Sequence, residues 1–233
     1  MKEKIEQWNE QLKGKGAEET LRFFLDTFGD RITVSTSLGA EDQVITDMVM
    51  KIRPETRIFT LDTGRLFQET YDLIDRTREK YGTQIEVFFP DRKAVEEMVR
   101  EKGMNLFYRS VENRKRCCGI RKVEPLKRAF SGMEAWICGL RKDQSVSRFF
   151  SKKVEWDEQN GLVKINPLID WTEKEVWNYI HKHEVPYNSL HDEGYASIGC
   201  LPCTRPIKPG EDFKAGRWWW EEEEHKECGL HKR

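Results

Sequence analysis

Strand-like and helix-like segments alternate through the first 140 residues of this 233-residue chain, and that alternation restricts the fold more than any other feature. Residues 18–28 carry Leu21, Phe24, Leu25 and Phe28 at helical spacing, with Gly29 placed as a C-cap. Arg31 to Ser35 (RITVS) reads as a strand. Glu41 to Ile52 then presents Val44, Ile45, Met48, Val49 and Ile52 as a helical face, closed by Pro54. Arg57 to Leu61 is the next strand, followed by a helix through Tyr81, a strand at Gln84 to Phe89, a helix over Arg92 to Lys102 and a strand at Glu134 to Cys138. Strands separated by helices of this length imply a mostly parallel sheet flanked by helices, an α/β fold. The pattern then changes. Asn160-Gly161 between KVEWDEQ and LVKINPL signals a hairpin, and Thr172 with Glu175 forms a capping box for a helix through His183. Residues 1–210 read as a single nucleotide-binding α/β domain, with 211–233 as a C-terminal tail.

Composition excludes several classes. Lys+Arg 40 against Asp+Glu 41 leaves a net charge of −1, which argues against a nucleic-acid partner. With 35% charged residues, no apolar run approaches the roughly 18 residues of a membrane span. The opening MKEKIEQWNEQLKGKG lacks the apolar stretch of a secretory signal, so the expectation is a soluble, cytoplasmic protein without a membrane partner.

Ligands of open parallel sheets bind beyond the carboxyl ends of the strands. The turn Ser35-Thr36-Ser37-Leu38-Gly39-Ala40-Glu41-Asp42 leaves such an end, with hydroxyls, Gly39 and helix-start amides suited to a phosphate. Leu61-Asp62-Thr63-Gly64-Arg65 is a second polar turn of this kind. Neither is a Walker A loop or a G-x-G-x-x-G.

Six cysteines in a chain of cytosolic character point to metal ligation or thiol chemistry rather than a disulfide framework. Cys117-Cys118 and Cys200-x-x-Cys203 supply four soft ligands, the number required by tetrahedral zinc or an iron–sulfur cluster. Spacing leaves both open, although adjacent cysteines depart from the C-x(2–4)-C habit of zinc. Cys138 lies in an apolar strand and reads as a small core residue. Cys228, in ECGLH, is either an incidental tail thiol or a nucleophile whose thiolate is stabilised by Lys226, His231 and Lys232.

The segments STSLGAEDQV, LDTGRLFQETY, KRCCGIRKVEPLKRA, ICGLRKDQS, GCLPCTRP, GRWWWE and ECGLH, in this order, resemble the assimilatory adenylyl-sulfate reductases, relatives of the phosphoadenylyl-sulfate reductases. The resemblance implies the adenine-nucleotide α-hydrolase-like fold and a [4Fe–4S] cluster on Cys117, Cys118, Cys200 and Cys203. It makes Cys228 the nucleophile and sets Lys122, Arg141, Lys214 and Arg217 around the phosphosulfate, with Lys214 standing where relatives often have Arg. His231 is expected to meet the substrate. Ser35, Ser37 and Gly39, together with Thr63, Gly64 and Arg65, are expected to hold the nucleotide.

The expected reaction is reduction of adenosine 5′-phosphosulfate to sulfite and AMP through a Cys228 S-sulfonate, with thioredoxin or glutaredoxin as reductant. The 3′-phosphorylated nucleotide is the alternative substrate, and a homo-oligomer is allowed. Trp218-Trp219-Trp220 is expected to dock the base of the tail while Glu221 to Glu224 keep the rest solvated. Two rivals remain: a tRNA sulfur transferase of related fold, and a zinc-stabilised nucleotide-binding module without chemistry.

Overall fold

The computed structural model describes residues 2–144 and 148–222. Six strands form one sheet in the order β3-β2-β1-β4-β6-β5. They are β1 (Ile32–Ser35), β2 (Arg57–Leu61), β3 (Ile85–Phe88), β4 (Ala135–Ile137), β5 (Val154–Asp157) and β6 (Leu162–Ile165). β1 pairs in parallel with β2 and β4, and β4 with β6, whereas β5 runs antiparallel to β6. The expected mostly parallel α/β fold is therefore what the chain adopts, with a hairpin added at one edge. That hairpin turns through residues 158–161, and Gly161 takes the positive φ of 68° that closes it.

The helices are α1 (Lys2–Gln11), α2 (Ala17–Phe28), α3 (Ala40–Ile52), α4 (Gln68–Tyr81), α5 (Arg92–Lys102), α6 (Val111–Cys118), α7 (Glu124–Ala129) and α8 (Glu173–Lys182). None is long and apolar enough to cross a membrane. The Thr172 hydroxyl accepts from the Glu175 amide and the Glu175 carboxylate accepts from the Thr172 amide, so the expected capping box opens α8. The sequence reading leaves residues 2–11 unassigned. There, Ile5 and Trp8 are buried, with Leu12 just beyond them, and Trp8 meets Phe24 and Phe28 edge-on at 5.3 and 5.9 Å.

The chain groups into two compact units, each built from several stretches. The first comprises the N-terminal part to Thr60, Glu69–Glu86 and Gly132–Ser189; the second comprises Leu61–Gln68, Val87–Ser131 and the chain from Leu190 onward. In the first unit Leu21, Phe24, Leu25, Val44, Ile45 and Val49 are fully buried in a core shared with Ile137, Val163 and Ile165 of the sheet. In the second, Met98, Leu106, Phe107, Cys203 and Trp218 form a smaller core, with Cys117, Cys200 and Trp220 packed against it.

Candidate functional site

In the first unit β1 and β4 are parallel neighbours, so the loops leaving their carboxyl ends emerge side by side. Asp42, in the first turn of α3, joins them. Its Oδ2 accepts from both the amide and the hydroxyl of Ser37 at 2.7 Å, and its Oδ1 accepts from the Gly139 amide at 3.0 Å. Burial pushes the Asp42 carboxyl above its ordinary pKa, and the Glu41 charge adds to this, although the Ser37 and Gly139 bonds oppose it.

A side chain at Gly139 has no room: a Cβ there would stand 2.5 Å from Asp42 Oδ1 and 2.9 Å from the Asp42 amide nitrogen. Gly39 has an ordinary φ of −70° as the N-cap of α3, and the left-handed position of this turn is Leu38, at φ 61°. Leu38 is buried, and its amide donates to Thr36 Oγ1 at 3.0 Å. The glycine-like conformation thus sits one residue before the glycine. Ser35 ends β1, half-buried.

Arg141 belongs to this unit and is almost wholly buried. Its Nε donates to Glu41 Oε1 at 2.8 Å, and Gln144 Nε2 donates to the same oxygen at 3.0 Å. The guanidinium is therefore held by a carboxylate at the start of α3, a partner that the sequence reading does not assign.

The second unit gathers most of the remaining candidates. One cavity is lined by Thr63, Arg65, Cys117, Cys118, Lys122, Cys200 and Cys203, together with Phe107, Arg114, Arg121 and Pro202. Ser110 caps α6 by accepting from the Asn113 amide at 3.1 Å, and Cys117 and Cys118 close that helix. Gly119–Val123 continues as a π-helical turn in which the Glu124 amide donates to Gly119 O. Lys122 therefore reaches the cavity from a widened turn and not from an α-helical face shared with Cys118. Pro125 falls in the first turn of α7, where it is tolerated.

Thr63 Oγ1 lies 3.2 Å from Cys200 Sγ and accepts from the Arg65 amide at 3.2 Å. Arg121, unassigned by sequence, donates from Nη1 to Thr63 O at 2.5 Å, and the Leu201 amide donates to Arg65 O at 2.8 Å. The Leu61–Arg65 turn is thereby fastened to both cysteine segments. Gly64 is exposed at φ 69°, and the Arg65 side chain donates to Met104 O and Asn105 Oδ1.

Burial and the neighbouring Cys200 and Cys118 thiols push Cys203 up to about 12. Burial likewise raises Cys117, against the opposing pull of Arg121. Among the described residues, no group of three or more His, Cys, Asp or Glu is placed to hold a single metal ion. Cys138 is buried as expected, donating to Asn166 Oδ1 at 3.2 Å.

Arg217 belongs to the second unit but does not line the cavity. It donates to Ser197 Oγ at 3.3 Å, and its guanidinium lies 4.8 Å from the Trp218 ring centroid. Lys214 precedes it in a turn where the Arg217 amide donates to Lys214 O at 2.9 Å. Trp218 is buried and Trp220 partly so, whereas Trp219 is 49% exposed, so the aromatic run docks through two of its three rings.

The expectation for Glu221 is corrected. Its side chain is buried and holds Arg114 by two bonds, Nε to Oε1 at 3.0 Å and Nη2 to Oε2 at 2.7 Å. Cys228 and His231 lie outside the described residues.

A model of the phosphoadenosine phosphosulfate reductase domain matches residues 31–206, a span that contains both polar turns and all four paired cysteines. The chain belongs to this reductase family. Two relatives are the adenosine 5′-phosphosulfate reductases of Allochromatium vinosum and Burkholderia cepacia. The first is 56% identical over 204 residues, covering 88% of this chain and 80% of the relative. The second is 53% identical over 202 residues, covering 87% and 81%. Among solved structures, the phosphoadenylyl-sulfate reductase of Candida auris in its phosphate complex superposes with a TM-score of 0.77 at 32% identity, covering 88% of this chain and 98% of that one. Membership of the reductase family sets aside the tRNA sulfur transferase and the module without chemistry.

Proposed function

We propose that this family member is an adenosine 5′-phosphosulfate reductase, releasing sulfite and AMP. The observation that carries the reading is a cavity lined together by four cysteines, Lys122, Thr63 and Arg65. The relatives named adenosine 5′-phosphosulfate reductase support that choice of nucleotide. Cys117, Cys118, Cys200 and Cys203 are the proposed ligands of a [4Fe–4S] cluster. The donor set suits it: buried thiols crowded by one another lose their protons readily only to a cation that replaces them, and Thr63 Oγ1, which accepts from the Arg65 amide, is left to donate to the Cys200 sulfur. When bound, such a group supplies local charge and rigidity, and no step below draws an electron from it.

In the proposed reaction the Cys228 thiolate attacks the sulfate sulfur, an S–S bond forms, and the S–O bond to AMP breaks. A thiolate approaching an anionic sulfate needs positive charge around the target, the role assigned to Lys122, Arg141, Lys214 and Arg217. A dithiol protein, thioredoxin or glutaredoxin, then attacks the Cys228 sulfur and releases sulfite as a mixed disulfide forms. Its second thiol resolves that bond, so the two electrons that reduce the sulfur come from the dithiol. Residues 211–233 serve as the catalytic tail, with His231 meeting the substrate, while Ser35, Ser37, Gly39, Thr63, Gly64 and Arg65 hold the nucleotide. A supply of reducing dithiols implies the cytoplasm. The likeness to a phosphoadenylyl-sulfate reductase supports a second reading in which the 3′-phosphorylated nucleotide is also accepted.

The test is sulfite release with reduced thioredoxin or glutaredoxin on each nucleotide separately. Faster release from adenosine 5′-phosphosulfate is expected, and turnover of the 3′-phosphorylated form alone would reassign the substrate. Truncation after Glu224 is expected to preserve AMP binding and stop sulfite release. Sulfite at the parent rate from that truncated chain would remove Cys228 from the mechanism.

A further inference from the structure

The side chains of Arg114 and Glu221 are 2% and 3% exposed, and they meet through two parallel N–H···O contacts, the strongest geometry open to this pair. Arg114 stands on α6, three residues before Cys117, and lines the cysteine cavity. Its guanidinium also lies 4.7 Å from the Trp218 ring centroid. Glu221 closes a turn that hydrogen-bonds back onto the second cysteine loop. Its amide donates to Trp218 O at 2.8 Å, and the Trp218 amide donates to Cys203 O at 3.1 Å. Trp218 itself adopts φ 43°, a left-handed conformation unfavourable to a bulky side chain, so this turn needs contacts to hold it.

We infer that the Arg114–Glu221 ion pair is a positioning joint, fixing the base of the Cys228-bearing tail to the helix that carries Cys117 and Cys118. The inference rests on the reductase reading for the role of Cys228. Cys228 follows Glu221 by seven residues, a reach of roughly 25 Å, and follows Trp218 by ten, a reach of roughly 35 Å. Releasing Glu221 therefore moves the last anchored point from seven to ten residues before Cys228 and unlocks the turn at Trp218. It also removes the carboxylate that faces the buried Arg114 guanidinium, so the joint does not open without cost.

The experiment uses the full chain with Glu221→Gln, which keeps the shape and removes the charge. Formation of the Cys228 S-sulfonate in a single turnover, followed by intact-mass spectrometry, is expected to slow at least tenfold. AMP affinity and iron content are expected to stay within twofold of the parent. Tryptic cleavage after Arg217 is expected to accelerate at least fivefold. Should Glu221→Gln fail to fold, Arg114→Lys retains the charge beside the cavity but not the two-point contact, and carries the same expectations.

S-sulfonate formation at the parent rate, or unchanged cleavage after Arg217, overturns the inference. So does a fall in AMP affinity or iron content that matches the fall in rate, because a merely structural role predicts that pattern. A parent protein that forms no S-sulfonate sinks the reductase reading instead, while the tryptic comparison still decides whether the joint exists.

Discussion

The Thr63 hydroxyl stands 3.2 Å from the Cys200 sulfur while accepting from the Arg65 amide at 3.2 Å, so one small side chain connects the Leu61–Arg65 turn to the cysteine set. The amide occupies one of the two lone pairs of the hydroxyl, and the hydroxyl proton is available to a Cys200 thiolate.

Thr63→Val keeps the shape and removes both contacts. It is expected to lower stability by about 1–2 kcal/mol, because the Arg65 amide loses its acceptor in a partly buried setting. Protein purified with iron is also expected to lose it faster to a chelator. Thr63→Ser, which restores the hydroxyl, should recover both properties. Iron loss at the parent rate in Thr63→Val would show that the hydroxyl does not support the thiolate.

Gly139→Ala places a methyl group within 3 Å of Asp42 Oδ1, Glu41 Cβ and the Asp42 amide nitrogen. Backbone cannot yield as a flexible side chain can, so the expected cost is about 1–3 kcal/mol. AMP affinity is expected to fall at least fivefold as the loops after β1 and β4 separate. Urea denaturation and calorimetric titration of AMP measure the two effects.

Asp42 gives a pH dependence of defined sign. Its carboxyl titrates above the ordinary aspartate value of 3.8 in the folded protein, chiefly through burial. Between the unfolded and folded values the native state binds more protons, so the contribution of this group is greatest below 3.8 and is lost as pH rises through the folded value. The stability of the parent relative to Asp42→Asn should therefore decline as pH rises from about 4. A difference that is flat or rising in denaturation measured across that rise would contradict the assignment.

Cys138 is expected to be inert. Burial pushes its thiol up to about 11, and its Sγ is engaged with Asn166. At pH 8 roughly one molecule in a thousand would carry the thiolate there. Native protein treated with iodoacetamide at that pH should show no adduct at Cys138 by peptide mass spectrometry, whereas unfolded protein should show it fully.

Local rules made much of this fold legible. Arg57–Leu61 and Arg92–Lys102 form the strand and helix expected of them, and the Thr172–Glu175 box opens its helix, because each depends on residues within a few positions. What escaped depends on distance. Glu221 is the first of four glutamates after three tryptophans, and nothing nearby distinguishes it from a solvated charge. Its partner Arg114 lies 107 positions away. Arg121 and Asp42 escaped for a related reason: both satisfy backbone and side-chain groups of loops that only the sheet and the cysteine segments bring together. The Leu38–Gly39 turn misled in the opposite sense, since burial and the Thr36 contact hold a leucine in the conformation that composition would assign to the glycine.

The widened turn at Gly119–Val123 sets the rotational phase of the helical stretch from Val111 to Ala129. A π turn is an α-helix with one surplus residue, and each α-helical residue advances about 100° around the axis. Without that surplus, the adjacent cysteines would be swung by about that angle relative to the buried Leu126 and Ala129. One flank or the other would lose its seat. Deleting one residue from Gly119–Val123 should thus yield a more regular helix and a worse thiolate site. The irregularity is a phase shift that lets one length of helix satisfy two incompatible faces.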